Sequence, residues 1–98
     1  MYRIKNTKTG LYYQPVKNGN NLSKKGKVYQ TKTNILKMGW SDYIGIYISR
    51  KSRVYSIVYE HYLKDGWIDW DGKIIKDVPE YGNIRTYIPK TDFIIEKI

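Results

Sequence analysis

Apolar and polar positions alternate along most of this chain with a period of two, the spacing of half-buried strands. Tyr2-Arg3-Ile4-Lys5 alternates apolar and basic residues and predicts a short strand. Asn6 to Gly10 supplies a turn. Leu11-Tyr12-Tyr13-Gln14 predicts the partner strand, stopped by Pro15, which brings no N–H to a ladder. Lys17 to Asn21 reads as a loop with Asn18-Gly19 as its turn signal, and Ser23 to Lys27 as a basic loop leading into Val28-Tyr29-Gln30. In the run from Tyr43 to Ser49, Ile44, Ile46 and Ile48 share one face, and Tyr43 and Tyr47 share the other. Val54 to Glu60 alternates in the same way. Joined by Arg50-Lys51-Ser52-Arg53, the two runs predict a β-hairpin with a basic tip. Asp65-Gly66 and Asp71-Gly72 are hairpin turns, so strands near 55–63, 67–70 and 73–76 form a meander. Pro79 and Gly82-Asn83 break the chain again. Ile84 to Ile88 and Asp92 to Ile98 predict the last strands, with a terminal helix from Thr91 as the alternative.

One segment has helical character. Thr31 or Thr33 is a capping residue, Ile35, Leu36 and Met38 make an apolar patch, and Gly39 stands where a glycine ends a helix. Two turns are marginal alone, so this helix is expected to pack on a sheet. The expected architecture is a single α+β domain over residues 1–98. It is mainly antiparallel, with a small twisted or barrel-like sheet and one short helix near 32–38. Composition points the same way: the chain has no Ala and three Glu against 14 Ile and 11 Tyr, and β-branched and aromatic side chains favour a pleated surface.

Composition also removes chemistries. The chain has no Cys and one His, which excludes disulfides, thiol nucleophiles and thiolate or His-rich metal sites. No apolar run reaches the length of a membrane span, and the opening residues lack the apolar stretch of a signal peptide, so a cytoplasmic location is expected. Charge is unevenly placed. Of the net +9, residues 1–53 carry +11 and residues 54–98 carry −2. A basic half of this kind favours a polyanionic partner or an acidic protein surface.

Several stretches carry a resemblance: Ile4-Lys5-Asn6, Thr9-Gly10-Leu11-Tyr12, Lys24-Lys25-Gly26-Lys27-Val28-Tyr29, Asn34-Ile35-Leu36-Lys37 and the closing Phe93-Ile94-Ile95-Glu96-Lys97-Ile98. In these the chain resembles small bacteriophage-encoded accessory proteins of uncharacterised function. The likeness covers about 40 residues and departs over the central stretch, roughly residues 40–88. It brings no catalytic or binding residues with it. It implies the cytoplasm of an infected bacterium and a host-takeover or anti-defence role.

The candidate binding residues are Lys24, Lys25, Lys27, Arg50, Lys51 and Arg53 for long-range attraction to phosphates, with Tyr12, Tyr13 and Tyr29 as aromatic faces for short-range contact. Trp67 and Trp70 mark a second, acidic and aromatic interface, with Tyr62 and Tyr81 close by in sequence. No catalytic, metal or cofactor site is expected. Gly19 to Lys27 misses the spacing of a phosphate-binding loop, and Val28 stands where that loop needs a hydroxyl. Asp69-Trp70-Asp71-Gly72 lacks the later oxygen ligands of a calcium loop and reads as a turn. Tyr43-Ile44-Gly45-Ile46-Tyr47 overlaps two motifs that a nuclease site needs on separate strands. His61 reads as a surface residue. The expected function is a non-enzymatic phage-type accessory protein. Its partner is a host protein or protein–nucleic-acid complex that handles nucleic acid, and the role is a defence inhibitor of the anti-CRISPR kind. Direct nucleic-acid binding and capture of a nucleotide signal are the alternatives.

Overall fold

The structure is a computed structural model that describes residues 1–31, 42–69, 71–76 and 82–98. The helix expected near 32–38, Trp70, Pro79 and Tyr81 lie outside the described residues. Among those described, the fold is β-rich α+β, and every strand pairing is antiparallel. Strands β1 (Tyr2–Asn6), β2 (Tyr12–Lys17), β3 (Asn20–Ser23) and β8 (Phe93–Lys97) form a four-stranded sheet in the order β3-β2-β1-β8. Strand β4 (Tyr43–Ser49) pairs with β7 (Asn83–Pro89), and the short β5 (Trp67–Ile68) pairs with β6 (Ile74–Ile75). Among the described residues the three sheets are not joined by backbone ladders, so of the twisted or barrel-like sheet expected, a closed barrel is not seen.

The largest correction concerns Val54 to Glu60. This run is not the second arm of a hairpin. Helix α1 (Tyr55–Val58) continues into a π-helical turn, Tyr59–Leu63, closed by Lys64 N–H donating to Tyr59 C=O at 2.8 Å. Its β-branched and aromatic residues favour a strand locally, but burial decides. Val54, Val58 and Leu63 enter the core at intervals of four and five residues, which a helix with one widened turn can deliver and a strand cannot. Strand β4 pairs instead with β7, forty residues further on. There Ile44 faces Ile88, Ile46 faces Thr86 and Ile48 faces Ile84. The alternation expected in β4 is seen: Ile44, Ile46 and Ile48 are buried, while Tyr43 is exposed and Tyr47 half-buried. They join Ile4, Leu11, Tyr13, Leu22 and Phe93 from the larger sheet and the helix residues in one core. At the C-terminus, Lys90–Asp92 make a single 3-10 turn before β8, so the terminal helix is not formed.

Strand β2 runs through Pro15 to Lys17 rather than stopping at it. The loop expected around Asn18-Gly19 is a tight hairpin turn. Asn18 and Gly19 both take positive φ, 55° and 79°, the pattern that suits the strand twist. That turn returns Asn20–Ser23 along β2 although these residues have little strand propensity. The ladder between β2 and β3 shifts register between Tyr13 and Lys17, where Pro15 lacks an N–H. Side chains fill the gap. Asn21 Nδ2 donates to Gln14 C=O at 2.9 Å, and Gln14 Nε2 donates to Asn20 C=O at 3.2 Å.

A buried polar network ties the first turn to the helix. Asn6 has no exposed surface. Its Oδ1 accepts from Thr9 N–H at 2.9 Å and Thr9 Oγ1 at 2.7 Å, and its Nδ2 donates to Tyr62 Oη at 2.7 Å. Tyr62 Oη then donates to Asp92 Oδ2 at 2.8 Å. Burial drives the Tyr62 phenol far above the ordinary tyrosine range; Asp92 adds to the rise, and the bond donated by Asn6 partly opposes it. Such a group stabilises the fold fully below its unfolded pKa. The contribution is lost as pH climbs past about 10, because the unfolded chain ionises there first. Unfolding midpoints are therefore expected to fall above pH 10, with a shallower fall in Tyr62→Phe. Equal alkaline slopes for the two proteins in urea titrations would refute this.

Candidate anion-binding groove

Two elements distant in sequence build a groove of about 450 Å³. One wall is the β2–β3 hairpin with the loop after it, contributing Gln14, Asn20, Leu22, Ser23 and Lys24. The other is the turn between β4 and α1, contributing Lys51, Ser52, Arg53 and Val54. Gln14 also lines an adjoining hollow of about 420 Å³ with Pro15, Val16, Lys17, Gly26 and Lys27. The basic segment expected at a hairpin tip thus sits at a strand-to-helix turn. The turn is held by Ser52 N–H donating to Ser49 C=O at 3.0 Å and Val54 N–H donating to Ser52 Oγ at 3.2 Å.

The walls are joined by two asparagines. Strand β4 presents backbone N–H groups towards β3, and side-chain oxygens receive them. Asn21 Oδ1 accepts from Tyr47 N–H and Asn20 Oδ1 accepts from Ser49 N–H, both at 2.8 Å. Asn21 is buried, so its bond is shielded from water, whereas that of the half-buried Asn20 is less so. The loop carrying Lys24 is shaped by Gly26, whose φ is +63°. A Cβ there would lie 2.3 Å from Tyr12 Cβ, so only glycine lets the loop lie against β2. Ser23 Oγ accepts from Gly26 N–H at 2.8 Å and fixes the curl.

Charge around the groove differs from charge elsewhere. On the outer face of the large sheet, Glu96 lies 3.4 Å from Arg3 and 3.7 Å from Lys5, and Asp92 lies 3.8 Å from Lys8. Those cations of the basic half are met by carboxylates of the later half. Among the described residues, none of Lys17, Lys24, Lys25, Lys27, Lys51 and Arg53 has a carboxylate partner. Lys24, Lys51 and Arg53 line the groove together, and Lys17 and Lys27 line the hollow beside it. Lys25 is exposed but lines neither. Arg50 is turned to the helix, donating to Tyr55 Oη at 2.9 Å.

The aromatic residues expected to stack on a ligand are largely used by the fold. Tyr13 is buried in the core, and burial, reinforced by Tyr29, raises its phenol pKa. It offers no face to a ligand, which corrects the sequence expectation. Tyr12 donates to Glu96 at 2.9 Å, and the Arg3 guanidinium covers its ring at 3.9 Å. Tyr29 packs against the core, exchanges backbone hydrogen bonds with Tyr2 and lies under Lys27 at 5.1 Å. Trp67 also packs on the core, so its ring belongs to the fold; its expected partner Trp70 lies outside the described residues. Asp69 serves its turn, with Oδ1 accepting from Asp71 N–H and Lys73 N–H, both at 2.9 Å. His61 is exposed on the π-helical turn.

Sequence reading missed Gln14, Asn20, Ser23, Ser52 and Lys17 as lining residues. The available signal was the Asn18-Gly19 turn, which folds Asn20 and Ser23 back beside Gln14. Nothing local announces that β3 lies against β4.

Fold and site together define a β-rich α+β domain with an open, basic, hydrogen-bond-donating groove. Comparison of the chain with protein-family models, with curated proteins and with solved structures finds no match. Among the described residues, no helix is long and apolar enough to cross a membrane.

Proposed function

We propose that the chain is a small non-enzymatic accessory protein of the phage type that engages a nucleic-acid-handling host target through its basic groove, acting as a defence inhibitor. The observation that carries this reading is the sorting of charge. Carboxylates of the later half pair with Arg3, Lys5 and Lys8, while among the described residues the lysines and Arg53 around the groove meet no carboxylate. The channels of proteins that act on nucleic acid are themselves basic, so a basic groove complements the nucleic acid that such a target holds, or an acidic surface elsewhere on it. Among the described residues, the walls of the groove hold no aromatic ring on which a base could stack. This counts against capture of a free nucleotide signal.

The test is affinity capture from a bacterial host lysate with the intact protein as bait. A nucleic-acid-handling enzyme should be retained after nuclease treatment and released by raised salt. It should be lost with Lys24→Glu/Lys51→Glu/Arg53→Glu, while Lys73→Glu on the β5–β6 turn keeps it. Retention by the triple variant equal to the parent would overturn the reading.

A further inference from the structure

We infer that the groove is a phosphate site that takes the phosphodiester backbone of a nucleic-acid strand without reading its bases. This rests on the reading that the basic face is the working face, and it names the chemistry that face recognises.

The argument comes from hydrogen-bond accounting in the walls. The fold engages the side-chain oxygens of Gln14, Asn20, Ser23 and Ser52 there and leaves side-chain donors. Asn20 Oδ1 is taken by Ser49 N–H, Gln14 Oε1 by Ser23 Oγ at 2.9 Å, and Asn20 C=O by Gln14 Nε2. Ser23 Oγ and Ser52 Oγ each accept a backbone N–H. Because Ser49 N–H demands an acceptor, the orientation of the Asn20 amide is set and its Nδ2 is left as a donor. Among the described residues, the Asn20 Nδ2, the Ser52 hydroxyl hydrogen, both lysine ammonium groups and the Arg53 guanidinium have no acceptor. A pocket with spare donors, three positive charges and no carboxylate in its walls suits an anion with several acceptor oxygens. Arg, Lys, Ser, Asn and Gln are also the side chains that meet phosphates in nucleic-acid complexes. The hollow sharing Gln14 adds Lys17 and Lys27, so adjacent phosphates of one strand would each meet cations. With no aromatic wall, the bases are left outside.

The probes are a fluorescent 20-residue oligodeoxythymidylate, a 20-residue abasic strand with the same backbone, and poly-L-glutamate, each titrated with the intact protein. The two strands should bind within about three-fold of each other. Counting only the three cations of the groove, affinity for each should drop at least roughly 20-fold between 50 and 200 mM salt. Lys24→Gln, Lys51→Gln and Arg53→Gln should each lower the slope of log affinity against log salt by about 0.7. Lys97→Gln on β8, at the far edge of the sheet from β3, should leave it unchanged. The variants replace exposed side chains, and an unchanged thermal midpoint confirms that they fold. Three results would overturn the inference: neither strand binds at 50 mM salt, thymidylate binds more than ten-fold tighter than the abasic strand, or poly-L-glutamate binds as tightly as either. If nuclease-resistant capture of a host enzyme persists while the strands fail, the accessory role stands and its target is an acidic protein surface. If the strands bind as described while capture fails, the phosphate site stands alone.

Discussion

Asn21→Ala is expected to destabilise the fold by about 3 kcal/mol, because it strips two part-buried backbone groups of their partner, a buried side chain. In the parent, Asn21 Oδ1 holds the Tyr47 N–H of β4, and its Nδ2 holds the Gln14 C=O beside the Pro15 irregularity in β2. The first bond crosses between two sheets that share no backbone ladder, and the second bridges β3 to β2 within the larger sheet. Alanine reaches neither. Each orphaned group then costs on the order of 1–3 kcal/mol unless water enters. Urea unfolding should show a lower midpoint with an unchanged slope, and amide exchange at Tyr47 should accelerate. Asn20→Ala should cost less, since Asn20 is only half-buried, and should free the Ser49 amide instead. A loss below about 1 kcal/mol with the Tyr47 amide still protected would mean that something else holds the edge of β4. Because the two asparagines span the walls of the groove, the same variant should also weaken binding there without altering any lining charge.

Removing the other buried asparagine should be equally damaging. Asn6→Ala deletes three side-chain hydrogen bonds at a site with no exposure, two to Thr9 and one to Tyr62. Its cost is expected to be about 3 kcal/mol, the sum of an unsatisfied Thr9 N–H, a weakened turn and a small void. Tyr62→Phe keeps the ring but removes the hydroxyl shared by Asn6 and Asp92, and should cost about 1–2 kcal/mol. The double variant tests the coupling. If Asn6 and Tyr62 act through their common bond, Tyr62→Phe should cost clearly less in the Asn6→Ala background than in the parent. Strict additivity would show that the 2.7 Å contact contributes nothing to stability.

Much of the strand pattern was legible because it is local. The three isoleucines of β4 sit two apart, and one face of a strand must bury them whatever its partner. The turns at Asn18-Gly19 and Asp71-Gly72 are also local, since positive φ is cheap for asparagine and glycine. What misled was Val54 to Glu60. Its alternation and its tyrosines suit a strand, yet the spacing of Val54, Val58 and Leu63 meets the core as a helix. Local preference there is weak, and the available partner surface outweighs it. The groove was half visible. Lys24, Lys51 and Arg53, conspicuous by charge, do line one groove, whereas Tyr13, an aromatic face by sequence, is core. A tyrosine reads the same in sequence whether its ring is inside or out.

Sequence alone determined the β-rich class, the excess of cations in the first half and the absence of thiol chemistry, since these depend on composition and short-range period. Tertiary structure decided which cations remain unpaired. Arg3, Lys5 and Lys8 meet Glu96 and Asp92 only because β8 returns beside β1, more than eighty residues away. Lys24 meets Lys51 and Arg53 only because two asparagine side chains hold β3 to β4. Interaction between charges weakens with distance and is screened beyond about 8–10 Å in physiological salt, so neutralisation follows proximity in space, and pairings between distant segments leave no mark on the local pattern of either.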